Sequence, residues 1–151
     1  MRICFIVPWI TKGRGGTENV GQMMANAMAS RGHAVHIITF DDAAGLSRWP
    51  LAEKITLSHV CEGAGPNQDG QLLMALASVQ PDLVVGLHMN RTFLSYVRAA
   101  LKLGLPLVLS EHQDPRFPAR IGTFDPHERL VAFQGATRLH LLTDSFLDTL
   151  P

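Results

Sequence analysis

Along the chain, short apolar runs alternate with longer segments in which apolar residues recur every three or four positions. Residues 3–7 form the first run, and its length and the Pro8 that follows it predict a buried strand. Beyond the loop Thr11-Lys12-Gly13-Arg14-Gly15-Gly16, the residues Val20, Met23, Met24, Ala27 and Met28 have the spacing of one helical face. Thr17 is expected to cap that helix, Glu18 to favour its positive first turn, and Arg31-Gly32 to end it. Runs at 35–40 and 55–60 read as two more strands, and Leu72, Leu73, Leu76 and Val79 mark a second helix closed by Pro81-Asp82. A strand at 83–87 follows. Phe93, Leu94, Val97, Ala100 and Leu101 then mark a third helix, stopped by Gly104 before a strand at 107–109. Asp125-Pro126-His127-Glu128 combines an N-cap acid, a proline at N1 and a glutamate at N3, which announces a fourth helix. A sixth strand is expected at 139–142 and a last helix capped by Asp144.

Strands that are apolar throughout, alternating with amphipathic helices, predict a doubly wound α/β fold with a parallel sheet covered on both faces. All strands of such a sheet direct their carboxyl ends to one edge, and ligands bind in the crevice there. That geometry selects residues 8–18, 40–42, 88–91, 110–116 and 143–144, where polar side chains crowd.

Composition narrows the picture. The 151 residues suit one domain, and their formal charge of zero offers no electrostatic footprint for nucleic acid. The two cysteines, Cys4 and Cys61, cannot form a disulfide scaffold and read as reduced. Pro8 ends the first apolar run too early for a signal peptide, and no run reaches the roughly 18 apolar residues of a membrane-spanning helix. A soluble, cytoplasmic protein is expected. The seven histidines show no metal-ligand spacing, so no metal site is expected.

Two features of the selected edge carry chemistry. Gly13, Gly15 and Gly16 lie between a strand and a helix N-terminus, where backbone without Cβ approaches a phosphate and amide groups point at it. The alternative is a tight turn that binds nothing. The run Gly13-Arg14-Gly15-Gly16-Thr17-Glu18 supplies the first two glycines of a dinucleotide fingerprint and then a carboxylate in place of the third, which argues against NAD. Asp41 and Asp42 end the second strand, either as ribose-binding acids or as solvated ones. His33, His36 and His59 lie away from the chosen edge and read as structural.

Several of these stretches together resemble a known family. Gly15-Gly16-Thr17-Glu18 after the first strand, the helix closed by Arg31-Gly32-His33, the strand Pro81-Asp82-Leu83-Val84-Val85-Gly86 and the run Leu109-Ser110-Glu111-His112-Gln113-Asp114-Pro115 resemble, in order, the N-terminal domain of family 4 (group 1) retaining glycosyltransferases of the GT-B fold. Leu141-Leu142-Thr143-Asp144-Ser145-Phe146 is similar to the segment where that family leaves its first domain. The resemblance implies one Rossmann-like, acceptor-side domain over residues 1–151, with the nucleotide-sugar-binding domain absent from the chain and no turnover by the domain alone. It implies a nucleotide-diphosphate sugar as co-substrate, no tightly bound cofactor, and a glycan or lipid-linked acceptor. By the same resemblance, Gly15, Gly16 and Thr17 face the donor diphosphate and His112 contacts the transferred sugar as the catalytic residue. His88, Asn90, Glu111, Asp114 and Arg116 would line the acceptor site, with Asn90 equally suited to cap a helix and Glu111 to close a loop. Asn19 departs from the family's frequent Arg or Lys, a charge that Lys12 or Arg14 would replace. A stand-alone phosphate- or nucleotide-binding module and an NAD-dependent enzyme are the alternatives.

Residues 116–124 form an unusually long loop in which Arg116 and Arg120 alternate with Phe117 and Phe124. Family members that act on lipid-linked acceptors use such surfaces for peripheral contact with the inner membrane face, so the same contact is an expectation here.

Overall fold

A computed structural model describes residues 1–13, 15–41, 47, 49–60, 66–87, 92–116 and 125–150. The elements follow in the order β1 (Arg2–Ile6), α1 (Gly16–Ser30), β2 (Ala34–Thr39), β3 (Thr56–His59), α2 (Pro66–Val79), β4 (Leu83–Leu87), α3 (Thr92–Leu103), β5 (Leu107–Glu111), α4 (Pro126–Gln134) and β6 (Arg138–Leu141), with a 3₁₀ helix at Asp144–Thr149. The strands make one six-stranded sheet in the order β3-β2-β1-β4-β5-β6. Every pairing is parallel. The chain runs outward from β1 to β3 and then returns to the other side of β1, so the topological switch lies between β1 and β4. This is the doubly wound, Rossmann-like fold that the alternation of elements predicts.

The strands are apolar throughout because both faces are covered. Cys4 and Ile6 of β1 join Leu72, Tyr96, Leu109 and Phe133 in a core beneath α2, α3 and α4. Ile3, Phe5 and Val7 point the other way, into a second core with Ala25 and Ala29 of α1. Cys4 is wholly buried, and burial pushes its thiol up to about 12, which keeps it protonated and inert. Cys61 lies outside the described residues.

Helix α1 differs from its expected form. Gly15 rather than Thr17 is the N-cap, and the side of the helix pressed on the sheet carries Gly21, Gln22, Ala25 and Ala29. Met23 is exposed, while Val20, Met24 and Met28 pack only at the margin of the core. The approach is too close for large side chains, since a Cβ on Gly21 would stand 2.9 Å from Cγ2 of Val7. Small residues therefore form the buried stripe where methionines were expected.

Strand β5 runs on to Glu111 because Ser110 and Glu111 pair with His140 and Leu141 of β6. The edge strand β3 is shorter than expected. Asp125 caps α4 as predicted, its carboxylate accepting from the amide of His127 at 2.8 Å. At the last helix the cap is Thr143, with Asp144 already inside a 3₁₀ turn. Among the described residues no helix is long and apolar enough to cross a membrane.

Candidate functional site

The carboxyl ends of β1, β2, β4 and β5 meet at one edge, beside the N-terminus of α1. The segment that leaves β1 is held there by Asp41, which is almost fully buried. Its Oδ2 accepts from the amides of Thr11 and Lys12 at 2.7 and 2.9 Å, and its Oδ1 accepts from the Thr39 hydroxyl at 2.9 Å. The same hydroxyl oxygen lies 3.0 Å from the carbonyl of Pro8. Backbone amides thus supply the partners that a buried carboxylate requires. Asp41 is neither a solvated acid nor a ribose ligand but the clamp on residues 8–12. Asp42 lies outside the described residues.

The glycine loop is closed by its own helix. Glu18, 5% exposed, turns back so that Oε2 accepts from the amide of Gly15 at 2.9 Å, the reciprocal bond of a capping box. A Cβ on Gly13 would overlap the Glu18 side chain, so the loop passes where only glycine fits. The Gly15 amide, expected to face a diphosphate, is thereby committed to a carboxylate. Gly16 is exposed, with open space where a Cβ would stand, and Thr17 is half-buried beside it in the first turn. Lys12 is exposed; Arg14 lies outside the described residues.

At the end of β5 the side chains divide between the two faces. Glu111 points under α4, fully buried, and receives Nε and Nη2 of Arg129 at 2.8 and 2.7 Å. Burial pushes the Glu111 carboxyl up, and the guanidinium pulls it back. Arg129 also donates to Thr149 and to the carbonyl of Phe146, and lies 4.6 Å over the Phe133 ring. Glu111 is therefore no acceptor ligand: it locks α4 and the 3₁₀ helix to the sheet.

Ser110 and His112 lie on the opposite face. The Ser110 hydroxyl is 2.8 Å from Nε2 of His112 and 2.8 Å from Nδ1 of His140. Asp114 accepts from the Arg116 amide at 2.9 Å and pairs with its guanidinium at 3.3 Å, while Arg116 also donates to the carbonyl of Ser145. Both side chains remain about half exposed, at 47% and 46%. His88 and Asn90, and residues 117–124 of the long loop, lie outside the described residues.

Away from this edge, His36 bridges the Thr56 and Ser58 hydroxyls at 2.6 and 2.9 Å; His59, expected away from the edge too, instead ends β3 there, with Nδ1 2.7 Å from the carbonyl of Asp41. Burial holds the His36 ring below the ordinary histidine range. Among the described residues no three His, Cys, Asp or Glu side chains converge as a metal site. Sequence reasoning missed Arg129 and His140. A helix-interior arginine carries no local signal, but His140 becomes visible once β5 and β6 are aligned in register.

A parallel sheet with its switch point between β1 and β4 and a helix N-terminus at its carboxyl edge defines a Rossmann-like domain. The family model for Glycosyltransferase Family 4 matches residues 14–144, so the chain belongs to that family. No curated protein matches it. Solved structures agree in fold. The Anabaena protein Alr3699/HepE in complex with UDP-glucose superposes with a TM-score of 0.64 at 16% identity, over 99% of this chain and 39% of its own. UDP-GlcNAc 2-epimerase from Methanocaldococcus jannaschii gives 0.60 at 15% identity, over 99% and 41%. The putative UDP-N-acetylglucosamine 2-epimerase from Listeria monocytogenes gives 0.64 at 13% identity, over 98% and 40%. The chain spans about two fifths of the length of each.

Proposed function

We propose that this chain is the acceptor-side half of an enzyme that moves a sugar from a nucleotide-diphosphate donor to a glycan or lipid-linked acceptor with retention. The observation that carries this reading is the family match, which runs from within the glycine loop to Asp144 and so includes the carboxyl ends of β2 to β6. A structural relative holding UDP-glucose supports a nucleotide-sugar donor. The donor is held chiefly by a second domain, and this chain alone does not turn over.

In that cleft the open amides of Gly16 and Thr17 face the departing diphosphate. Gly15 contributes only the turn, because Glu18 holds its amide. Preorganised amides stabilise negative charge as it grows on the leaving group. His112 contacts the transferred sugar through an imidazole fixed by Ser110, and the exposed pair Asp114 and Arg116, with His88 and Asn90, contacts the acceptor. Peripheral membrane contact through residues 116–124 brings a lipid-linked acceptor to this edge.

The test is transfer of label from radiolabelled UDP-glucose and UDP-N-acetylglucosamine into a glycan or lipid fraction by the full-length enzyme. Transfer that falls on the order of a hundredfold in His112→Ala, with no transfer by residues 1–151 alone, is the expected result. Epimerisation of UDP-N-acetylglucosamine without acceptor, or an undiminished rate in His112→Ala, refutes the reading.

A further inference from the structure

On the α1 side of the sheet, the ends of β5 and β6 gather three side chains that share protons. Ser110 and His140 are register partners, and His112 follows Ser110 by two residues, so alternation places all three on one face. The buried Ser110 hydroxyl stands 2.8 Å from a ring nitrogen of each histidine, and the rings lie 6.0 Å apart. His140 itself is exposed.

We propose that His140 is a positioning residue whose tautomer is coupled, through the Ser110 hydroxyl, to that of His112. This rests on the glycosyltransferase reading only in placing His112 at the reacting sugar. A serine hydroxyl has one proton, and the two short contacts need two. In one arrangement Nδ1–H of His140 donates to Ser110, and Ser110 donates to Nε2 of His112, whose own proton then sits on Nδ1. In the other, Nε2–H of His112 donates to Ser110, and Ser110 donates to Nδ1 of His140. The rings therefore carry the same tautomer, both Nδ1–H or both Nε2–H. The choice sets whether Nδ1 of His112 acts as donor or acceptor.

The chain also opposes charging both rings. With protons on both contacting nitrogens, the Ser110 hydroxyl proton must turn away from both, and Ser110 is buried, at 1% exposure. Among the described residues, the other charged groups beside this face are Arg138, two residues before His140 on β6, and Asp114 and Arg116 in the segment after His112. Glu111 is turned to the opposite face by Arg129.

Long-range proton–nitrogen correlation spectra of the two rings in this chain, recorded across pH, test the relay. The expected result is an equal Nδ1–H fraction in His112 and His140. His140→Ala should alter the His112 tautomer ratio. Ser110→Ala should uncouple the rings, and Ser110→Thr, which keeps the hydroxyl, should restore the coupling. An unchanged amide spectrum identifies each folded variant, and the exposed His140 site provides a substitution that leaves the core intact. His112 spectra and titration curves that superimpose in wild type, His140→Ala and Ser110→Ala overturn the proposal. Coupling without sugar transfer refutes the enzyme reading and leaves the relay standing; transfer without coupling refutes the relay alone.

Discussion

At the end of β2, Asp41 is buried and satisfied by two backbone amides and a threonine hydroxyl; at the end of β5, Glu111 is buried and satisfied by a guanidinium. Both acids sit at the carboxyl edge of the sheet, and both are turned inward. They differ in what they hold. Asp41 clamps the segment between β1 and the glycine loop, whereas Glu111 fastens two later helical segments through Arg129. The histidines differ in the same way. On the β2–β3 flank, His36 joins two hydroxyls of β3 and His59 meets the Asp41 backbone, while on the β5–β6 flank His112 and His140 share a serine at the carboxyl edge. Exposure separates a clamp from a ligand candidate at this edge: Asp41 and Glu111 are turned inward, whereas Gly16, Asp114 and Arg116 stay within reach of solvent.

The contrast between the two clamps is open to direct challenge. The largest effect is expected at Arg129, whose replacement by Ala leaves Glu111 buried without its cation. Urea unfolding should show a loss of about 3–5 kcal/mol, and the paired change Glu111→Gln with Arg129→Met should recover most of it. A loss below about 1 kcal/mol for Arg129→Ala would remove the distinction between the flanks. Asp41→Ala removes the acceptor of two amides and should cost about 2–3 kcal/mol, with hydrogen exchange accelerated at Thr11 and Lys12. Should Asp41→Ala instead abolish dinucleotide binding at unchanged stability, the clamp assignment fails and the ribose reading returns.

Smaller effects sharpen the comparison. Gly21→Ala, in the helix that beds between the flanks, should destabilise by about 1 kcal/mol despite alanine's helix preference, since its Cβ meets Val7. A stabilised variant, read from the same urea curves, would mean that α1 sits less tightly. The smallest effect belongs to His36. Its folded-state value is depressed by burial, so its contribution is present above the ordinary histidine value and is lost as pH falls through the folded one. The urea midpoint should therefore drop more between pH 7.5 and 5 in wild type than in His36→Gln. Equal drops would release His36 from its structural role.

Much of this was legible in the chain. Continuous apolar runs and period-3.6 apolar stripes reflect which side chains must leave water, and that requirement is local, so the alternating elements, the parallel sheet, the glycine loop and the Asp125 cap could all be read directly. The order of four short motifs likewise pointed to Glycosyltransferase Family 4. The same local logic misplaced the buried stripe of α1, because the closeness of helix and sheet is set by Val7 and Leu87, which belong to other elements. It could not separate Glu111 from His112, one residue apart on opposite faces. Nor could it see Arg129 or His140, whose roles come from partners 18 and 30 residues distant. Hydrophobic patterning is written residue by residue. The satisfaction of a buried charge or hydroxyl depends on which strands become neighbours, and only the packed sheet decides that.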